Sequence, residues 1–266
     1  MHSVVVIPAR YASSRLPGKP LVDLCGKSLV QRTFERCAMG FPRERIYVAT
    51  DDDRVQAHCL GLGINTLMTS PDCLTGTDRV AEVARTVKAD LYINVQGDEP
   101  LFNPGDIAVI LEAAQAHPSD ILNGVAAIET EDQFRSPTIP KVVVRPDGRL
   151  LYMSRAAIPT NKALGFIRAW RQVCIYAFPP TALRDFSAAP QKTALESIED
   201  IEILRFLELG YEVRMIPLSA ESIAVDTPGD VERVRSILTA TAATMPLHIH
   251  EERRSFTDQT TADPHP

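Results

Sequence analysis

The chain has 266 residues and carries 28 Lys and Arg against 34 Asp and Glu, a net charge of −6 at pH 7. This length suits one large α/β domain, and the negative balance argues against a generally basic nucleic-acid binder. No apolar run reaches the length of a membrane span and the N-terminus lacks a signal-peptide pattern, so we expect a cytoplasmic protein with neither nucleic-acid nor membrane partners. The five cysteines are scattered without a C-x-x-C motif, which favours reduced thiols over a zinc site or a disulfide framework.

The first half of the chain alternates β-rich and helical segments. The predicted strands are Val4–Pro8, Ile46–Ala49, Thr66–Met68 and Leu91–Val95, and the predicted helices are Leu29–Met39, Asp53–Leu60, Asp78–Lys88 and Pro104–Ala116. This order predicts a mostly parallel sheet covered by helices on both faces. Ligands of such sheets bind beyond the carboxyl ends of the strands, so the loops after the first and fourth strands should lie at the same edge.

The second half has a different pattern. The predicted strands are Ile121–Ile128, Lys141–Arg145, Leu150–Met153, Val173–Phe178 and Glu212–Pro217, and the predicted helices are Ser197–Leu209 and Pro228–Leu238. The pair Asp147-Gly148 is typical of a hairpin turn. We interpret residues 1–244 as one domain. Residues 245–266 are polar, contain prolines and have no periodicity, so we expect a disordered tail.

A cationic loop follows the first strand. Within it Arg10, Arg15 and Lys19 accompany two serines and a glycine. Cations beside free backbone amides are suited to binding several phosphates. The loop is not a P-loop, because that motif needs Ser or Thr after its lysine and here Pro20 follows Lys19.

Two aspartates are candidates for holding a metal ion near that loop. Asp98 follows the fourth strand, and Asp226 follows the apolar run Ile223–Val225. A polyphosphate site needs a hard cation, and Mg²⁺ commonly takes one or two carboxylates together with phosphate oxygens. Taken singly, each aspartate is equally explained as a turn or helix-capping residue.

Other polar segments are compatible with either a ligand-binding or a structural role. The residues of Thr75–Arg79 can present amides to a phosphate or a base, or Thr77 or Asp78 can simply cap a helix. Glu199 and Glu202 are three residues apart and should share a helix face, where they would bind substrate hydroxyls or form a solvated acidic surface. Arg155 has the geometry to bind a substrate carboxylate through two N–H groups.

Several segments together resemble the 3-deoxy-manno-octulosonate (KDO) cytidylyltransferases, from about residue 3 to residue 240. The specific ones are Ile7–Leu21 and Asn94–Pro100. The supporting ones are Ala49–Asp51, Gly76–Arg79, Ser154-Arg155, Ile158-Pro159, Ile175-Tyr176 and Val225–Pro228.

The resemblance implies a nucleotide-diphospho-sugar transferase-like fold, a three-layer α/β structure with a mostly parallel central sheet. A smaller β-rich subregion, about residues 121–178, would serve acceptor binding and dimerisation. The implied reaction is attack of a small acidic acceptor on the α-phosphate of CTP, with release of pyrophosphate. Mg²⁺ is the implied cofactor, and a homodimer the implied assembly.

Matching the motifs residue by residue implies the following roles. Lys19, Arg10 and Asp98 would be catalytic, and Asp98 and Asp226 would bind Mg²⁺. CTP would be bound by Pro8, Ala9, Arg10, Arg15, Lys19, Thr75, Gly76, Thr77, Arg79 and Gln96. The acceptor would be bound by Arg155, Gln172, Tyr176, Glu199 and Glu202.

The acceptor side departs from the family pattern. The usual His-x-Gly-x-Tyr segment has Gln172 and Cys174 in place of histidine and glycine, and Ile203 stands where a glutamine is usual. KDO is therefore the first expected acceptor, with another acidic sugar or a small phosphonate such as phosphonoformate as the alternative. A catalytically silent nucleotide-binding protein on the same fold is the competing function, since fold alone does not determine function.

Overall fold

The computed structural model describes residues 1–189, 191–220 and 222–244. The predicted tail, residues 245–266, lies outside the described residues. Within them the strands are β1 Ser3–Pro8, β2 Ile46–Thr50, β3 Asn65–Met68, β4 Leu91–Val95, β5 Ile121–Ala127, β6 Lys141–Val144, β7 Leu150–Ser154, β8 Trp170–Phe178 and β9 Val213–Pro217. The helices are α1 Leu29–Gly40, α2 Asp53–Gly61, α3 Gly76–Thr86, α4 Gly105–Ala116, α5 Glu131–Arg135, α6 Pro180–Ala188, α7 Ala194–Glu199, α8 Ile203–Glu208 and α9 Pro228–Thr244.

One sheet contains all of the described strands, and it is mostly parallel, as predicted. The main path runs β3-β2-β1-β4-β8-β5-β9, and β8 is antiparallel to both of its neighbours on that path. The hairpin β6–β7 joins the sheet through β6, which pairs with β8. Its turn contains Gly148 at a φ of +83°, in agreement with the predicted Asp147-Gly148 turn.

Helices cover both faces of the sheet because side chains alternate along each strand. On β1, Val5 and Ile7 pack in the core beneath α1, α2 and α4. Their neighbours Val4 and Val6 pack on the opposite face, in the core beneath α3, α6 and α8. The result is the expected three-layer α/β architecture.

Two adjacent parallel strands bring the predicted loops together. β1 pairs with β4 in parallel, with Val6 opposite Asn94. Both strands therefore end at the same edge of the sheet, and the loops that follow them face each other. The prediction of a shared edge is confirmed.

The predicted helix Ser197–Leu209 is wrong, because the chain breaks between α7 and α8. Asp200 adopts a left-handed conformation with a φ of +51°. The carbonyl oxygens of Glu199 and Asp200 accept hydrogen bonds from the Arg155 side chain, at 2.6 and 2.9 Å. These bonds take the place of intrahelical ones. Glu199 and Glu202 consequently do not share a helix face.

The helix α6 was not predicted. It begins at Pro180 directly after Pro179, and two adjacent prolines are equally typical of a turn. Proline suits a first helical position because the N–H that it lacks has no intrahelical partner there.

The C-terminal helix α9 packs beside the cationic loop. Val231 and Val234 of α9 form an apolar cluster with Leu24, Leu29 and Val225. This packing places Asp226, just before α9, next to the N-terminal loop. Among the described helices we find none that combines the length and the apolar character needed to cross a membrane.

Candidate active site

A cleft of about 600 Å³ opens at the carboxyl ends of β1 and β4. Its walls come from the cationic loop, the loop after β4, the residues before α3, and segments of the β-rich subregion. All the site residues predicted from the sequence line this cleft except Thr77 and Glu199. The structure thus brings together residues separated by more than two hundred positions in the chain.

The cationic loop is held in a defined shape. Gly18 has a φ of +69°, and a Cβ there would lie 3.1 Å from the hydroxyl of Tyr11. The backbone N–H of Tyr11 donates to Asp51, and the Arg54 guanidinium lies 3.5 Å from the centre of the Tyr11 ring. A left-handed conformation and a close aromatic neighbour both favour glycine.

Lys19 joins the two candidate metal-binding aspartates. Its Nζ lies 2.6 Å from Asp98 Oδ2 and 2.9 Å from Asp226 Oδ1. Burial alone lowers the pKa of Lys19, but the charges and hydrogen bonds of Asp98 and Asp226 outweigh it, and the net pKa is raised. Arg15 lies 3.0 Å from Asp226 on the solvent side. The lysine therefore stays charged between two carboxylates.

This arrangement fits a divalent cation completed by substrate. The contact with one ammonium group shows that Asp98 and Asp226 both reach a single cation, and carboxylate oxygens are the ligands that Mg²⁺ prefers. Within the described residues no three His, Cys, Asp or Glu side chains form a metal-binding group. Phosphate oxygens would have to complete the coordination, as is usual for Mg²⁺ at nucleotide sites.

The loop after β4 packs tightly against the end of β1. A Cβ at Gly97 would lie 2.4 Å from the carbonyl oxygen of Pro8, which no side chain could tolerate without a backbone shift. The next residue, Asp98, accepts the backbone N–H of Val225 on its carbonyl oxygen at 2.9 Å. Glycine at position 97 thus permits the close approach that places Asp98.

Two buried carboxylates behind the cleft hold the segment that carries Asp226. Asp106 accepts from the backbone and hydroxyl of Ser219, at 3.2 and 2.8 Å, and Glu99 accepts from the Ser222 hydroxyl. Burial, followed by the neighbouring charge of Asp98, raises the pKa of Glu99 to about 7. Sequence reasoning missed these bonds, since nothing in the local pattern links residues more than a hundred positions apart.

The segment at the start of α3 caps that helix, but the N-cap is Thr75 and not the predicted Thr77 or Asp78. Thr75 and Asp78 form a reciprocal capping box. The backbone N–H of Thr77 donates to Glu202 at 3.0 Å, and Gln96 donates to the same carboxylate at 2.9 Å. Thr77 is fully buried and does not line the cleft. The Glu202 carboxylate therefore connects the start of α3 and the end of β4 to the start of α8.

The cations predicted to bind the nucleotide differ in what they contact. Arg79 is buried and donates to Asp51 at 2.6 Å and to Thr69 at 2.6 Å. Arg10 is exposed, and its guanidinium makes no hydrogen bond or close ion pair with any described residue. The Arg79 guanidinium is therefore hydrogen-bonded within the protein, whereas that of Arg10 is free to bind a phosphate.

The predicted acceptor side has a half-buried arginine at its centre. Besides the carbonyls of Glu199 and Asp200, Arg155 donates to that of Pro137 at 3.1 Å. Gln172 lines the cleft and donates from Nε2 to Asn123 Oδ1 at 2.9 Å. These contacts fix the orientation of both side chains.

Glu199 is turned away from the cleft. Its carboxylate accepts from Ser154 at 2.6 Å, from Tyr152 at 3.2 Å and from the Arg155 backbone at 2.9 Å. Burial raises the pKa of Glu199, but these hydrogen bonds outweigh it and the net pKa is lowered. Glu199 therefore contacts Arg155 and does not line the cleft.

Some cleft residues were not among the predicted site residues. They include Thr138, Pro140, Cys174, Asp200 and Lys192, whose Nζ lies 2.5 Å from Asp200. Thr138 and Pro140 stand in a loop with no recognisable pattern, so the sequence offered no signal for them. We call Thr138, Pro140 and Arg155 the acceptor wall.

Comparison with known proteins shows the family of the chain. The family model described as cytidylyltransferase matches residues 4–216. The 3-deoxy-manno-octulosonate cytidylyltransferase of Myxococcus xanthus (strain DK1622) is 38% identical over 245 residues, which cover 90% of this chain and 97% of that relative. The protein of the same name from Escherichia coli is 38% identical over 240 residues, 89% of this chain and 96% of the relative.

A solved structure gives the same result. The structure of CMP:2-keto-3-deoxy-manno-octonic acid synthetase complexed with CTP superimposes with a TM-score of 0.84 at 37% sequence identity, covering 91% of this chain and 100% of that one. The resemblance inferred from the motifs is thereby confirmed. The chain belongs to the cytidylyltransferase family, among relatives named 3-deoxy-manno-octulosonate cytidylyltransferases.

Proposed function

We propose that this cytidylyltransferase transfers CMP from CTP to an acidic sugar, with KDO as its acceptor and Mg²⁺ as its cofactor. The observation that carries the proposal is the contact of Lys19 with both Asp98 and Asp226 in a cleft that Arg155 and Gln172 also line. Relatives that bear the KDO cytidylyltransferase name, aligned over about nine-tenths of the chain, support this choice of acceptor.

The reaction requires positioning and charge neutralisation more than covalent catalysis. An acceptor oxygen attacks the α-phosphorus of CTP, the new O–P bond forms, and the bond to the β-phosphate breaks with release of pyrophosphate. Negative charge accumulates on the transferring and leaving groups, so cations held nearby lower the barrier. Arg10, Arg15 and Lys19 would supply those cations from a single loop.

Asp98 and Asp226 would hold the magnesium ion beside the phosphates. When bound, Mg²⁺ would neutralise phosphate charge and lower the pKa of an attacking hydroxyl, so a dedicated base is unnecessary. Lys19 would then keep both carboxylates turned into the cleft and donate to phosphate oxygens. Asp98, Lys19 and Arg10 are thus the residues that we assign to catalysis.

The acceptor side would recognise an acid through directed hydrogen bonds. Three N–H groups of Arg155 are bound to backbone carbonyls, so its remaining N–H groups face a fixed direction. Lys192 adds a second cation to the cleft lining, where its ammonium is paired with Asp200. Both suit the carboxylate of a sugar acid, while Gln172 offers a neutral acceptor to a hydroxyl.

The test is a pyrophosphate-release assay with CTP held constant. KDO, other acidic sugars and phosphonoformate are compared, each with and without Mg²⁺, and Asp98→Asn serves as the inactive control. Acceptor-dependent release with KDO supports the proposal. Release with another acid alone moves the acceptor to that class, and CTP binding without release from any acid favours the silent nucleotide binder.

Two further expectations accompany this proposal. We propose a homodimer, supported by the exposed apolar side chains Leu151, Leu164 and Ile167 in the β-rich subregion, at 55%, 65% and 75% exposure. Light scattering coupled to gel filtration distinguishes dimer from monomer. Location in the cytoplasm stays a prediction, which fractionation of the source cells would check.

A further inference from the structure

Lys141, on β6, is a buried cation that the proposed reaction does not use. Its side chain is 0% exposed and does not line the cleft. Its Nζ donates to three carbonyl oxygens, those of Ser136 at 2.7 Å, Ile139 at 2.7 Å and Arg155 at 2.6 Å. A buried ammonium is costly unless its donors are satisfied. Here every N–H of the group has a partner.

These three bonds connect the two segments that build the acceptor wall. Ser136 and Ile139 flank Thr138 and precede Pro140, and Arg155 follows β7. Lys141 is therefore a single side chain that fixes the backbone on both sides of the wall. Lys141 does not line the cleft itself, so any effect on a bound acceptor acts through the residues that it hydrogen-bonds.

Arg155 is held from its other side as well. Its backbone N–H donates to the Glu199 carboxylate at 2.9 Å, and its Nε donates to the Glu199 carbonyl at 2.6 Å. The backbone carbonyl of Arg155 binds Lys141, while its N–H binds Glu199. The Lys141 ammonium and the Glu199 carboxylate thus restrain the two polar backbone groups of Arg155, its carbonyl and its N–H.

We propose that Lys141 is a positioning residue for the acceptor, and that it sets acceptor affinity by holding the acceptor wall in place. This inference rests on the proposed function. Removing the ammonium would take its strongest donor from each of three part-buried carbonyls, and within the described residues only the Ser136 carbonyl keeps another donor, the Ile139 N–H at 3.3 Å. The loop at 136–140 would then shift to bring its freed carbonyls to water. A shift of about 1 Å in positioning groups can cost about a hundredfold in catalysis.

The experiment uses Lys141→Met, which keeps the length of the side chain and removes its donors. We expect the KM for KDO to rise about tenfold to a hundredfold, while the affinity for CTP, measured by calorimetry, stays within about twofold of wild type. Lys162→Met, an exposed lysine in the same subregion, is the matched control and should change neither value. Trp170, the sole tryptophan, lies opposite Val142 of β6, so its fluorescence reports directly on this region.

A second variant covers the case in which Lys141→Met does not fold. Lys141→Arg retains the charge and several donors, and we expect it to bind CTP normally with an intermediate KM for KDO. In the double variant with Glu199→Gln, the effects on the KM for KDO should be less than additive, because both residues act through Arg155. A purely structural role would not produce that coupling.

The outcomes separate the two claims. If wild type turns over no KDO, the proposed function and this inference are both overturned. If wild type is active but CTP affinity falls as much as acceptor affinity in folded Lys141 variants, or neither changes, the inference alone is overturned. A selective rise in the KM for KDO, with coupling to Glu199, supports it.

Discussion

The Nζ of Lys19 lies 2.6 Å from Asp98, although 79 residues separate the two in sequence. This contact joins the loop after β1 to the loop after β4 and is completed by Asp226 at 2.9 Å. Lysine and aspartate therefore form one unit in which each sets the position of the other. The unit has the composition that binding a metal-complexed triphosphate requires.

Asp98→Asn should abolish turnover while leaving the fold intact. The amide keeps the size of the side chain but loses the charge that binds both Lys19 and a metal ion. We expect kcat to fall by at least about a hundredfold, measured by pyrophosphate release. Thermal unfolding should shift little, because the Lys19 ammonium keeps its second carboxylate partner, Asp226, at 2.9 Å. Asp132→Asn, exposed on α5, is the control, and an active Asp98→Asn protein would contradict the assigned role.

Arg205→Met should destabilise the protein strongly. The Arg205 guanidinium is fully buried and binds Glu196 at 2.6 and 2.7 Å and Asp78 at 3.0 Å. Removing one partner of a buried ion pair leaves an uncompensated charge, at a cost of about 3–5 kcal/mol. Urea unfolding measures the loss.

Arg184→Met provides the comparison for this variant. Arg184 is 72% exposed and pairs with Asp185 on the surface, so its loss should cost less than about 1 kcal/mol. Replacing Arg205 and Glu196 together with apolar residues should cost less than replacing Arg205 alone, because the fully buried Glu196 carboxylate is then not left unpaired and only Asp78, which is partly exposed, loses its contact. If the Arg205 and Arg184 variants lost the same free energy of unfolding, burial of an unpaired charge would be excluded as the cause.

The parallel half of the sheet could be predicted from sequence because each element has a local signal. Apolar β-branched runs such as Val4–Pro8 alternate with capped amphipathic helices, and parallel topology then dictates that Lys19 and Asp98 share an edge. The break at Asp200 could not be predicted, because it depends on hydrogen bonds from Arg155, 45 residues earlier. The sequence also predicted Glu199 as a substrate ligand, because its hydrogen-bond partners Tyr152, Ser154 and Arg155 lie more than forty residues earlier in the chain.

Gly97→Ala tests the close approach of β1 and the loop after β4. A Cβ would lie 2.4 Å from the Pro8 carbonyl oxygen, and a rigid backbone cannot give way cheaply. We expect a destabilisation of about 1–3 kcal/mol in urea unfolding. Turnover should fall as well, because Asp98 must move with its neighbour. Gly61→Ala is the matched control, since a Cβ there meets nothing within 4 Å; equal stability of the two variants would refute the argument.

Glu199→Gln should change the pH dependence of stability in a defined direction. Burial raises the pKa of Glu199, but hydrogen bonds from Arg155, Ser154 and Tyr152 lower it below the usual 4.5 in the folded protein. A lowered carboxyl pKa means that the unfolded chain binds the proton more readily. The ionised side chain therefore contributes stability above pH 4.5, and this contribution is lost as pH falls through the folded pKa.

The measurement is the difference in melting temperature between wild type and Glu199→Gln, followed from pH 7 to pH 3. Wild type should be the more stable at pH 7, and the difference should shrink below about pH 4.5, because the glutamine does not titrate. Glu112→Gln, exposed on α4, should match wild type at pH 7. A difference that stays constant to pH 3 would mean that side-chain shape stabilises this site. A difference that shrinks on acidification would instead show that the charge of Glu199 stabilises the fold. The same charge would then be what restrains the Arg155 backbone.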